Sequence, residues 1–285
     1  PGRPDATQVL QRQPLVPGRG PDRPARLSTD PGSLSGTTAA SAPAPPPPID
    51  EAADARHRGL RSYVLRRSHF SPAQRDAWQR LMPRFGLTPD GPPIDYVEVF
   101  GRQAPVVLEI GFGMGDATAR LAQRHPDIDF IGVEVHTPGV GALLKRIEAD
   151  GLKNLRVIEG DVTTVLERRI APESLAGVHL FFPDPWPKKR HHKRRLVNEQ
   201  FLTKIFGTLT RPGYLHCATD WPDYAEAIAL ALEKSLFGTA VTPTQLAPAL
   251  ENAYGSMIRD RPETKFERRG VALGHPISDW IGQRL

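Results

Sequence analysis

Apolar and polar positions change their rhythm at Pro105. From there, short apolar runs alternate with stretches in which apolar positions recur every three or four residues. The runs 106–110, 130–135, 155–158, 178–182 and 214–218 predict five buried strands. Helices are predicted after Gly115, with Asp116 as its cap, and over 140–150, 195–209 and 224–237. In the third of these, Val197, Phe201 and Ile205 share a face, with Leu202, Phe206 and Leu209 beside them. This cadence predicts parallel βαβ units, a mostly parallel twisted sheet with helices on both faces. Residues 264–274 alternate between Pro262 and Gly270 and predict a last strand. Upstream, Ser71-Pro72 marks a helix start, Ser as N-cap and Pro in the first turn, running to about Leu81. Residues 92–95 form a loop, and 96–100 are too short to assign.

The pattern fails before residue 56. Residues 1–55 are rich in Pro, Gly, Ser, Ala and Arg, and 42–48 read APAPPPP. A segment with so little to bury cannot offset its ordering entropy, so it is expected to be a disordered N-terminal tail. Residues 56–285 then form one domain, with an arginine-bearing arm at 61–67. The 39% hydrophobic share and 30 prolines fit that division. A net charge of +5 points weakly to an anionic partner. The single Cys217 excludes an internal disulfide and a cysteine-rich metal site, and fits a reducing cytoplasm. No apolar run reaches the ~18–20 residues of a membrane span, and no basic-then-apolar leader opens the chain. The expectation is a cytoplasmic protein, without membrane or metal, as monomer or homodimer.

The predicted strand ends carry the candidate chemistry. The first runs through Glu109 into Gly111-Phe112-Gly113-Met114-Gly115. Glycines there let backbone approach a ligand, but the spacing is not the G-x-G-x-x-G of a dinucleotide binder. An acid at Glu109 suits a cationic or amino-bearing ligand better than a pyrophosphate. Glu134 ends the second strand, where acids accept from ribose hydroxyls. Asp161 follows the third, placed to accept from an adenine amino group. Three acids at successive carboxyl ends describe a pocket for S-adenosylmethionine as methyl donor. After the fourth strand comes Phe182-Pro183-Asp184-Pro185-Trp186-Pro187, a loop stiffened by three prolines. Lys188 to Arg195 then form a cationic run suited to phosphates.

From Phe182 to Lys188, and through Arg190-His191-His192-Lys193-Arg194-Arg195, the sequence resembles the bacterial tRNA (guanine-N7-)-methyltransferase family. The resemblance extends through Glu109-Ile110-Gly111, Gly132-Val133-Glu134, Thr219-Asp220 and Thr264-Lys265-Phe266-Glu267, from about Arg61 to the end. It implies a Rossmann-like class I methyltransferase fold and methylation of N7 of guanosine 46 in the tRNA variable loop. It further implies that Glu109, Gly111, Gly113, Glu134, Asp161 and Asp184 contact S-adenosylmethionine, with Asp184 catalytic. Lys188, Asp220, Thr264, Lys265, Phe266 and Glu267 would meet the substrate, and Arg190, His191, His192, Lys193, Arg194 and Arg195 would face tRNA. The arm departs from the family at Arg67-Ser68-His69.

Guanine N7 has no proton to lose, so alignment and water exclusion carry most of the rate. Asp184 would then stabilise charge on the purine or hold its N1 and N2 donors. Trp186 would stack on a base or pack on the prolines. Two alternatives stand beside this reading: an amino-group methyltransferase of adenine or cytosine, and an inert RNA-binding module. The first uses an Asp/Asn-Pro-Pro-aromatic loop, and here the second consecutive proline is missing.

Overall fold

Strand 106–110 is buried on both faces because apolar residues occupy both sides of its pleat, and the rest of the sheet grows from it. The computed structural model describes Tyr63 and residues 69–285. The predicted tail at 1–55 and the arm, Tyr63 excepted, lie outside the described residues. Among the described residues, seven strands form one sheet in the order β1-β4-β3-β2-β5-β6-β7. They are β1 (Gly86–Leu87), β2 (Val106–Ile110), β3 (Asp129–Glu134), β4 (Leu155–Glu159), β5 (Leu175–Phe181), β6 (Leu209–Thr219) and β7 (Ser278–Arg284). All neighbours are parallel except β6 and β7, which run antiparallel, pairing Thr219 with Ser278.

The helices of the described residues are α1 (Pro72–Phe85), α2 (Tyr96–Phe100), α3 (Asp116–Arg124), α4 (Thr137–Ala149), α5 (Val162–Arg168), α6 (Glu199–Thr208), α7 (Pro222–Lys234), α8 (Pro248–Arg259) and α9 (Lys265–Ala272). Alternation along the strands divides the core in two. Val106, Leu108 and Ile110 of β2 join Val165, Phe201, Ile205 and Ile228 on one face. Val107 joins Leu81, Leu121, Val140, Leu144 and Ile258 on the other. The sheet is therefore covered on both sides, as the sequence predicts. Full burial of one large aliphatic side chain contributes roughly 1.5–3 kcal/mol, so these two layers dominate folding.

Three local readings need correction. Residues 264–274 are not a strand. Thr264 accepts from the Glu267 N–H (3.1 Å), and Glu267 accepts from the Thr264 N–H (3.4 Å), so a capping box starts α9 there. The last strand is β7, further along. The helix expected from Arg195 starts only at Glu199, where Asn198 Oδ1 accepts from the Phe201 N–H (3.0 Å). Lys189–Arg194 form a 3-10 turn instead. Asp116 does not cap α3. Gly115, with φ of 75°, holds the cap position, and Asp116 in the first turn pairs with Arg146.

Candidate active site

The site is built on the carboxyl ends of the parallel strands, where open α/β sheets leave a crevice. A cleft of about 110 Å³ is lined by Ile110 and Gly111 after β2, by Val133, Glu134 and Val135 at β3, and by Gly160 and Val162 after β4. Phe181, Phe182, Pro183 and Asp184 close it at β5, and Tyr63 reaches it from upstream.

Glu109 precedes the lining pair Ile110 and Gly111 in β2 and is not itself part of the cleft wall. It points to the Val107 face, 3% exposed, where the Thr118 hydroxyl of α3 lies beside it. Its Oε2 is buried and has no partner among the described residues. Burial pushes its pKa up to about 7, against the Thr118 hydroxyl, which lowers it, and the nearby Glu134 adds to the rise. Gly111 and Gly113, at φ of 72° and 60°, carry the chain over it. A Cβ built on either meets nothing within 4 Å. Their requirement is thus conformational, and the space above them is open.

Glu134 has a task that its position alone does not reveal. Its Oε2 accepts from the Gly113 N–H (2.8 Å), and its Oε1 from the Val135 (2.8 Å) and His136 (3.0 Å) N–H groups. Burial raises its pKa, and these three bonds counter the rise. It locks the glycine loop while still lining the cleft. Asp161 caps α5, its Oδ1 accepting from the Thr163 N–H (2.7 Å), and leaves the cleft wall to Gly160 and Val162.

Asp184 sits half-exposed in a loop bracketed by two non-glycine residues in the left-handed region, Phe182 (φ 53°) and Trp186 (φ 46°). Such conformations cost roughly 1–3 kcal/mol each and persist where surroundings over-determine them. Here the surroundings are visible. The Phe182 N–H donates to the Ala218 carbonyl (2.8 Å), and the Phe182 ring lies 6.4 Å from Phe266, 20° from parallel. Arg261 stands 5.7 Å from the Phe182 ring centroid.

Arg261 joins the far segments to this loop. It donates to Glu267 (2.6 and 3.1 Å) and to Asp279 (2.7 and 3.0 Å), and Asp279 in turn contacts His216 Nε2 (2.7 Å). Asp220, expected among the substrate contacts, does not cap α7, whose N-cap is Trp221. It lies 3.5 Å from His275 Nδ1, and a Cβ on Gly270 of α9 would come within 2.6 Å of its Cβ. Asp220 and the start of α9 are therefore brought together, and Phe266 reaches Phe182, two residues before Asp184.

The cationic run splits by direction. Lys188, Lys189, Arg190 and Lys193 are exposed, and His191 and His192 are half-buried. Burial and neighbouring cations lower the His191 pKa. Arg194 lies over the Trp186 ring, 4.9 Å from its centroid. Arg195 does not face solvent as expected of a phosphate contact, being only 7% exposed. Sequence reasoning missed Gly139, Arg261 and Glu159. A Cβ on Gly139 would lie 2.1 Å from the Gly113 carbonyl oxygen, so α4 approaches the loop only through a glycine. Glu159 accepts from Trp78 Nε1 (2.7 Å) and pairs with Thr137, tying α1 and α4 to β4. The capping-box spacing at Thr264 and Glu267 was a readable signal, whereas nothing local marked Arg261.

Residues 103–280 match the family model described as a putative methyltransferase. A tRNA (guanine-N(7)-)-methyltransferase of Nitrosomonas eutropha is 50% identical over 227 residues, covering 79% of this chain and 96% of the relative. Proteins of the same name from Nitrosomonas europaea (49% identity, 80% of this chain and 98% of the relative) and Paraburkholderia xenovorans (50%, 79% and 83%) match similarly. With the sheet order, the glycine loop and the Asp184 loop, these likenesses have one consequence: the chain belongs to the tRNA (guanine-N7-)-methyltransferase family.

Proposed function

We propose that the protein transfers a methyl group from S-adenosylmethionine to N7 of a guanosine in tRNA, at position 46 of the variable loop. The observation that carries this reading is Asp184, held between two left-handed residues and lining one cleft together with Gly111 of the glycine loop and Glu134. Residues 56–285 carry the activity, which is cytoplasmic, and residues 1–55 are not needed for it.

The residues present fit the methyl donor. Open space above Gly111 and Gly113 admits a ligand against backbone, and Glu109 Oε2 is a buried acceptor suited to a donor group of the ligand. Glu109 and Glu134 would hold its amino-acid and ribose portions, and Asp161, through the carboxylate oxygen that does not cap α5, its adenine amino group. S-adenosylmethionine supplies an electrophilic methyl group on a sulfonium. The chain's own contribution is alignment and electrostatics. Asp184 faces the purine and offsets the positive charge that N7 acquires, while the proline-braced loop excludes water. Lys188, Asp220 and residues 264–267 contact the substrate, and exposed cations of the run hold tRNA phosphates.

Labelled methyl donor and unfractionated tRNA from cells lacking the modification provide the test. Incorporation into tRNA, lost on Asp184→Asn, is expected. Donor binding without incorporation into any RNA would overturn the reading.

A further inference from the structure

Arg195 sits in a cationic run yet turns away from the solvent its neighbours face. Its Nε donates to the Pro185 carbonyl oxygen at 2.9 Å, one residue beyond Asp184. One terminal nitrogen pairs with Asp223 in the first turn of α7 and lies 3.2 Å from His192 Nε2. Its guanidinium also stacks on Tyr224, 4.7 Å from the ring centroid. Tyr224 is fully buried, and its hydroxyl accepts from the Val197 N–H (3.3 Å). Asp223 is held below its usual carboxylate range, chiefly by the hydrogen bond from Arg195.

We infer that Arg195 is a positioning residue, which fixes the Asp184 loop against α7, and that the phosphate-binding part of the run ends before it. The inference rests on the methyl-transfer reading above and refines it. A planar fork can bond a backbone carbonyl and a carboxylate while stacking on a ring, which an ammonium cannot. The guanidinium is buried and its charge already faces Asp223, so it does not neutralise a phosphate. The Pro185 carbonyl lies between Asp184 and the left-handed Trp186, so a bond to it fixes the direction in which the loop leaves the catalytic carboxylate. A 1 Å displacement of a reacting group costs on the order of 100-fold in rate.

Two quantities separate this role from an RNA contact: kcat at saturating tRNA and donor, and the slope of log tRNA affinity against log salt. Arg195→Met is expected to lower kcat at least tenfold while leaving the salt slope at the wild-type value. Arg195→Lys keeps the charge but not the fork and should also fall short of wild-type kcat. Should Arg195→Met lose its folding transition, Asp223→Asn decides the question. This exposed substitution removes one anchor and should lower kcat several-fold with the slope unchanged. A slope flattened by about one unit in Arg195→Met and restored in Arg195→Lys, or wild-type kcat in Asp223→Asn, overturns the inference. Absence of methyl transfer by the wild-type protein defeats the parent reading instead, whatever the variants do.

Discussion

Glu109→Gln separates the stability cost of a buried acid from its use. In the folded protein the Glu109 pKa is pushed up to about 7, from an ordinary 4.5, mainly by burial. For an acid with a raised folded pKa, the folded state binds the proton more tightly than the unfolded one. The penalty is absent below pH ~4.5, grows as pH rises towards ~7, and is constant above. A difference of about 2.5 units at 1.36 kcal/mol each is about 3 kcal/mol at pH 8. The Gln side chain keeps the shape but carries two N–H donors that need acceptors, so the relief is about 1–3 kcal/mol. For a domain of this size 1 kcal/mol moves Tm by about 2–4 °C. The variant's Tm minus the wild-type Tm should therefore open by several degrees between pH 5 and pH 8. Thermal melts of the ligand-free proteins in a pH series read this directly. Donor binding by calorimetry should show the opposite ordering, with the variant weaker at pH 8. A Tm difference that does not change with pH would refute the assignment of a raised Glu109 pKa. Unaltered donor affinity would refute its contact with the donor.

Three further outcomes follow from the geometry. Asp184→Asn should lower methyl transfer at least 100-fold with Tm within a few degrees of wild type, because the half-exposed side chain supports no ion pair among the described residues; activity measurement and a melt check both. Replacing Lys189, Arg190 and Lys193 together by Ala should flatten the salt slope of tRNA binding by about three units, as read by filter binding between low and moderate salt. Arg261→Met leaves the carboxylates of Glu267 and Asp279 without their shared partner and should destabilise by about 3–5 kcal/mol, measured by denaturant unfolding, with a raised KM for tRNA in whatever remains folded.

Elements fixed by hydrophobic rhythm were legible, as was the Ser71 cap of α1, and those fixed by long-range polar contacts were not. The strands of the central sheet and the glycine loop follow from runs such as 106–110, which can only be buried. The Asp184 loop was readable because prolines restrict it locally. Residues 264–274 misled because alternation over a short span also fits an amphipathic helix, and the Thr264–Glu267 capping box decides the matter. The start of α6 slipped four residues because a dense like-charged run after Pro187 resists a regular helix, while Asn198 supplies the cap. Glu134 was legible as a strand-end acid, but its three backbone bonds appear only once the chain curls back over it. Arg195 could not be told from its cationic neighbours, since the partners that turn it inward, Asp223 and Tyr224, lie some thirty residues on.

Methylation of N7 of a tRNA guanosine at this site is tested most directly by the identity and position of the product. Wild-type protein is incubated with labelled S-adenosylmethionine and tRNA lacking the modification. The RNA is then digested to nucleosides for chromatography, and a parallel sample is reduced with borohydride and cleaved by aniline at 7-methylguanosine. Label in 7-methylguanosine alone and a single scission at position 46 are the predicted result. Label in an exocyclic N-methyladenosine or N-methylcytidine, or no labelled nucleoside at all, would contradict it.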